Sequence, residues 1–116
     1  MWIFLSRSWL SIVQHFDYPD MLLVRSRVEG DIQRAFPDAE VEEQNDLQYR
    51  YRAVVPRAEV ADLMKSAVEN LSATSYKESL DTDRRRRAAS RVWSAISEVF
   101  AENPHEIDGI PTDIDI

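Results

Sequence analysis

The sequence predicts an α+β domain in two layers, with an antiparallel sheet of four to five strands covered by two main helices and one short one. Three observations lead there. In residues 47–55, Leu47, Tyr49, Tyr51, Ala53 and Val55 alternate with Gln48, Arg50 and Arg52, the period of a half-buried strand. From residue 60 the apolar positions are 60, 63, 64, 67, 68 and 71, one stripe of an amphipathic helix. At 116 residues, 44% hydrophobic and 30% charged, the chain can build one core and not two.

Residues 2–5 and 9–15 read as strands rich in aromatic and branched side chains, joined tightly at Arg7 and Ser8. Residues 16–20 form a turn around Pro19, whose ring presets φ. Residues 21–28 make the next strand, with Leu22, Val24 and Val28 on one face and Arg25 and Arg27 on the other. A short helix follows to Phe36, with Asp31 as its expected N-cap and Pro37 as its stop. Residues 39–43 and 47–55 suggest a hairpin about Asn45 and Asp46.

Pro56 suits the first turn of a helix, where a missing N–H costs nothing. That helix should run to Leu71. A loop anchored by Tyr76 and Leu80 leads to a last helix, capped by Asp81 or Asp83. Its inward face is expected to be Ala89, Val92, Trp93, Ile96, Val99 and Phe100. Strands joined by tight turns are antiparallel, and the later helices are expected to cover their apolar face.

Charge is sorted by place. Residues 102–116 hold five acids and no Lys or Arg, while the remainder carries 14 basic and 16 acidic residues, so the net −7 is mostly in that segment. Residues 1–103 are therefore expected to form the single domain and 104–116 an acidic mobile tail. Ordering such a tail costs roughly 1.5 kcal/mol per residue, more than its four isoleucines return on burial. A protein of this sign opposes non-specific nucleic-acid binding, which depends on cations releasing counterions.

Several chemistries are disfavoured. With no cysteine there is no disulfide, thiolate site or Cys nucleophile, which fits a reducing cytoplasm. Two glycines leave no Gly-rich phosphate loop. No apolar run reaches the length of a membrane span, and the opening MWIFL lacks the flanks of a signal peptide. No cofactor is implied, and no spacing of His or acids suggests a metal site. His15 and Asp17 could form a general base with its orienting carboxylate, yet no nucleophile or second acid is evident, so an enzyme is not expected.

Two charged groups remain as binding candidates. Asp38, Glu40, Glu42, Glu43 and Asp46 place five acids in nine residues. On a strand, Asp38, Glu40 and Glu42 would repeat at about 6.7 Å and imitate a phosphate backbone. The plainer reading is a solvated face neutralised by Arg50 and Arg52 across the hairpin. Arg84, Arg85, Arg86, Arg87 and Arg91 form the one basic run and could take an anion or nucleic acid. Four consecutive positions span a helix circumference, however, and cations are unfavourable at a helix N-terminus. Tyr49 and Tyr51 are expected in the core, Trp2 and Trp9 could anchor a partner or be buried, and no aromatic-studded basic face is expected.

The opening MWIFLS, then LSIVQH, DMLLVRSRVEGDI, FPDAEVEE and YRYRAVVPRAEVA, resemble a group of small bacterial and phage proteins of no known activity. The resemblance covers residues 1–71 and implies a prokaryotic or mobile-element origin. At the level of size and charge it extends to phage-encoded inhibitors such as anti-CRISPR proteins. The expected function is a non-enzymatic, cytoplasmic protein-binding module, a phage-type inhibitor of a nucleic-acid-handling complex. Its contacts would be Asp38, Glu40, Glu42, Glu43 and Asp46, with Glu106, Asp108, Asp113 and Asp115 of the tail. Apolar residues on strand edges leave room for a homodimer.

Overall fold

A computed structural model describes residues 1–45 and 48–101. The fold is α+β. Five strands form one antiparallel sheet: β1 (Trp2–Phe4), β2 (Trp9–Gln14), β3 (Met21–Ser26), β4 (Glu42–Glu43) and β5 (Tyr51–Pro56), in the order β1-β2-β3-β5-β4. The helices are α1 (Asp31–Ala35), α2 (Arg57–Glu69), α3 (Tyr76–Ser79) and α4 (Asp83–Phe100). The chain divides into two compact units, Met1–Asp81 and Thr82–Ile116. Among the described residues no helix is long and apolar enough to cross a membrane.

Strand alternation decides the core of the first unit. Ile3, Leu10, Ile12, Leu22, Val24, Ala53 and Val55 point to one face, and Ile32 and Phe36 after them, with Val60 of α2, close over it. Each of the larger side chains contributes on the order of 1.5–3 kcal/mol when fully buried. Leu63 and Met64 pack against this cluster at its margin.

Local details depart from the sequence expectation in ways with physical causes. Asp31 does not cap α1. Gly30, at φ 89°, is the N-cap and makes no side-chain cap bond, and this left-handed turn is open to glycine at little cost. Asp31 instead turns inward, accepting from the Trp9 backbone N–H at 2.9 Å and pairing with Arg34. It thereby ties the start of β2 to α1.

The hairpin second strand begins at Tyr51, not residue 47, and β4 keeps only two residues. Helix α2 ends at Glu69, and Val68 and Leu71 are exposed rather than inward. Residues 76–79, expected as loop, form α3, where the Ser75 hydroxyl accepts from the Glu78 N–H. Leu80 is buried as expected, whereas Tyr76 is exposed.

The second unit holds α4. Thr82, not an aspartate, is its N-cap, its hydroxyl accepting from the Arg85 N–H at 3.2 Å. Asp83 in the first turn pairs with Arg86 at 2.6 Å and complements the helix dipole. The expected inward stripe is the largest departure. Val92, Trp93, Ile96, Val99 and Phe100 are all exposed, Trp93 by 71%. The sequence period is helical and amphipathic, but period alone does not say what an apolar stripe meets.

Candidate functional site

Pleating sends Trp2, Phe4, Trp9, Ser11, Val13, Leu23, Arg25, Arg52 and Val54 to the sheet face opposite the core. Both α1 and α2 pack on the core side. On this outer face Trp2 is 71% exposed, and Phe4, Val13 and Val54 are exposed as well. Trp2 stacks on Phe4 with ring centroids 6.3 Å apart, and Phe4 contacts Trp9 at 5.0 Å. Trp9 is fixed by its indole N–H, which donates to the Leu5 carbonyl at 3.0 Å.

Cations occupy the middle of the face. Register sets Trp2, Ser11, Arg25, Arg52 and Glu42 in one row across the sheet. Arg25 and Arg52 are therefore direct cross-strand neighbours, an arrangement that is unfavourable for like charges. Among the described residues no carboxylate forms an ion pair with Arg25, Arg27 or Arg52. The Nε atoms of Arg25 and Arg52 are buried without a hydrogen-bond partner.

Tyr49 holds part of this cluster in place. Its ring lies under the guanidiniums of Arg25 and Arg27, 4.6 and 5.0 Å from the centroid. Arg25 Nη2 also donates to the Ser11 hydroxyl at 2.7 Å. Tyr49 is thus not in the core, and the expectation that the sheet has no aromatic, basic face is corrected. The reason is local: residues 48–50 precede the strand, so the alternation counted back from Tyr51 does not reach Tyr49. Tyr51, inside the strand, does pack against the core.

These neighbours lower the Tyr49 phenol below its ordinary range. Hydrogen bonding from Ser11 contributes most; burial opposes it, while Arg27, Arg25 and Trp2 add to the lowering. The folded protein then loses this proton at lower pH than the unfolded chain. Any stability from the phenolate is complete only above the unfolded-chain value and absent below the folded one. Ultraviolet titration should show one tyrosine ionising early, and Arg25→Gln together with Arg27→Gln should move that step to higher pH. An unmoved step would contradict the stacking.

The turn after β2 adds a second aromatic group. His15 stacks on Phe16 at 5.1 Å and meets Tyr18 at 5.2 Å, and Phe16 is 90% exposed. His15 Nδ1 accepts from the backbone N–H groups of Asp17 and Tyr18, at 3.1 and 3.3 Å. The Asp17 carboxylate does not orient the ring; its backbone does. Two N–H donors on Nδ1 leave the neutral ring's proton on Nε2, the tautomer for a turn cap.

The acidic residues separate. A cavity of about 340 Å³ brings Glu40 and Glu42 beside His15, Phe16, Arg52 and Val54. Glu43 pairs loosely with Arg50 at 3.9 Å, both half-exposed or more. Asp38 sits exposed in the turn after α1, because only residues 42 and 43 are strand and no ladder aligns it with the others. Asp46, Glu106, Asp108, Asp113 and Asp115 lie outside the described residues. Among the described residues no group of three or more His, Asp or Glu is placed to hold a metal ion.

On α4, Arg84, Arg87 and Arg91 are exposed at i, i+3 and i+7 and share one face. Arg86 turns to Asp83, and Arg85 is buried. The basic run therefore divides, with three members on the side of the helix away from Trp93 and Ile96. Comparison with protein-family models, curated proteins and solved structures gave no match, so the reading of these surfaces rests on their chemistry.

Proposed function

We propose that the protein is a non-enzymatic module that binds another protein, with the apolar face of α4 as its principal contact. One observation carries this reading: Val92, Trp93, Ile96, Val99 and Phe100 form a single helical stripe and are all exposed. An amphipathic helix presenting apolar anchors at i, i+3, i+4 and i+7 is a recurring mode of protein recognition. Tryptophan is also the residue type that most often dominates interface energetics. In this reading the carboxylates of Asp38, Glu40, Glu42 and Glu43 offer a separate acidic contact, suited to a basic partner such as a nucleic-acid-handling complex.

The test replaces Trp93 and Ile96 together with serine. Both side chains are exposed, so the thermal midpoint should stay within a few degrees, while capture of protein partners from a bacterial lysate and concentration-dependent self-association are compared with the parent. Loss of a captured protein or of self-association in the variant supports the reading. Identical behaviour of parent and variant in both measurements sinks it.

A second reading, anion binding by α4, is favoured by the common face of Arg84, Arg87 and Arg91. Replacing all three with glutamine should abolish oligonucleotide binding if this is right. An unaltered affinity would remove it.

A further inference from the structure

We infer that the outer face of the sheet is a binding site for single-stranded nucleic acid, with Arg25, Arg27 and Arg52 receiving phosphates and Trp2 and Phe16 receiving bases. The site shares no residue with the α4 surface proposed above. Its first support is the unresolved charge. Arg25 and Arg52 stand directly opposite each other, and Arg27 shares the Tyr49 ring with Arg25. None of the three forms an ion pair with a carboxylate among the described residues, although Glu42 is the other cross-strand neighbour of Arg52. Two cross-strand guanidiniums with unpaired buried Nε atoms raise the energy of the empty site. An anion set between them reverses the sign of that interaction, and guanidinium forks match phosphate oxygens in geometry.

The second support is the placement of rings around the cations. Trp2 lies in the same row as Arg25, two strands away, at about 10 Å. The stacked His15 and Phe16 follow the end of β2, further along the sheet, and line a cavity with Arg52. Ser11, which pairs with Trp2, is about 10 Å along β2 from Gln14, the residue before His15. Two open ring groups so far apart, with the cations to one side of the line joining them, exceed the reach of one nucleotide and fit a strand with splayed bases that bends over the arginines. Base stacking on exposed rings tolerates any sequence, as in single-strand binders generally. An acidic peptide would satisfy the arginines but leave both ring groups unused. Glu42, opposite Arg52, and Glu40 line the same cavity as Phe16, so that cavity suits an uncharged base and the phosphates fall towards Arg25.

The experiment is fluorescence anisotropy of a labelled oligothymidylate with the full chain across a salt series. Three phosphate contacts predict a log–log salt slope of about −2 for a single strand. Arg25→Gln with Arg52→Gln should weaken binding at least tenfold while leaving the thermal midpoint unchanged or raised, because the like-charge pair is gone. Trp2→Ala and Arg27→Gln, both at exposed positions, should each weaken binding severalfold and guard against a folding defect in the double variant. Four results would overturn the inference: no binding at low salt, equal affinity for duplex, full competition by polyglutamate, or loss of binding through Arg84, Arg87 and Arg91 while the sheet variants bind normally.

Discussion

Asp31→Ala is expected to lower the unfolding free energy by about 3 kcal/mol, among the largest single-site losses in the molecule. Asp31 is fully buried in a helix of only five residues. Its Oδ2 accepts from the Trp9 N–H, and its Oδ1 pairs with Arg34, which also donates to the carbonyls of Arg7 and Glu29. Alanine removes the acceptor from a half-buried amide and the counter-charge from Arg34 together. The Arg34 side chain is one-third exposed, so water recovers part of the second loss and the total stays well below that of a fully buried pair. Asp31→Asn keeps an oxygen for Trp9 and should lose less. Urea unfolding measures both, and a loss under about 1 kcal/mol for alanine would show that the carboxylate does not join β2 to α1.

Leu10→Ala is expected to cost about 3 kcal/mol, and Ile96→Ala less than about 0.5 kcal/mol. The sequence ranks the two positions alike, since each is a large aliphatic on the apolar side of its element. Leu10 is 1% exposed inside the core cluster, whereas Ile96 is half exposed on α4. Truncation at Leu10 leaves a cavity that the sheet cannot close. At Ile96 it removes surface already in water and slightly improves helix propensity. Equal losses at the two sites would place Ile96 in an interior.

The contrast also explains what was legible. Period-two alternation put Leu22 with Val24, and Ala53 with Val55, on the apolar face of each strand, because a buried sheet face imposes its pattern residue by residue. Val28, expected with Leu22 and Val24, lies beyond the end of β3 and is exposed. Helical period located α2 and α4, and the aromatic and branched runs at residues 2–5 and 9–15 became β1 and β2. Partnering was not legible. The stripe of α4 has the same helical period as that of α2, yet Val60 is buried and Ile96 is not.

The cationic sheet face was hidden for a different reason. Arg25 and Arg52 are 27 positions apart, and their adjacency follows from β3 pairing with β5 across an intervening helix and β4. Tyr49 was missed because a bend at Gln48 and Tyr49 breaks the alternation read in the sequence before the strand begins. The one available signal was the repeated Arg at 25, 27, 50 and 52, each on the polar side of a strand in the sequence pattern. The acidic residues failed as a single row because β4 is two residues long.

The exposure of Trp93 carries the proposed function, and acrylamide quenching measures it directly. In a Trp2→Phe, Trp9→Phe variant this indole is the sole tryptophan fluorophore. At low protein concentration its quenching constant should approach that of the same chain in urea, with emission at the wavelength of a water-exposed indole. A blue-shifted emission that resists quencher at the same concentration would mean the stripe is covered within its own chain, and α4 would cease to be a docking surface.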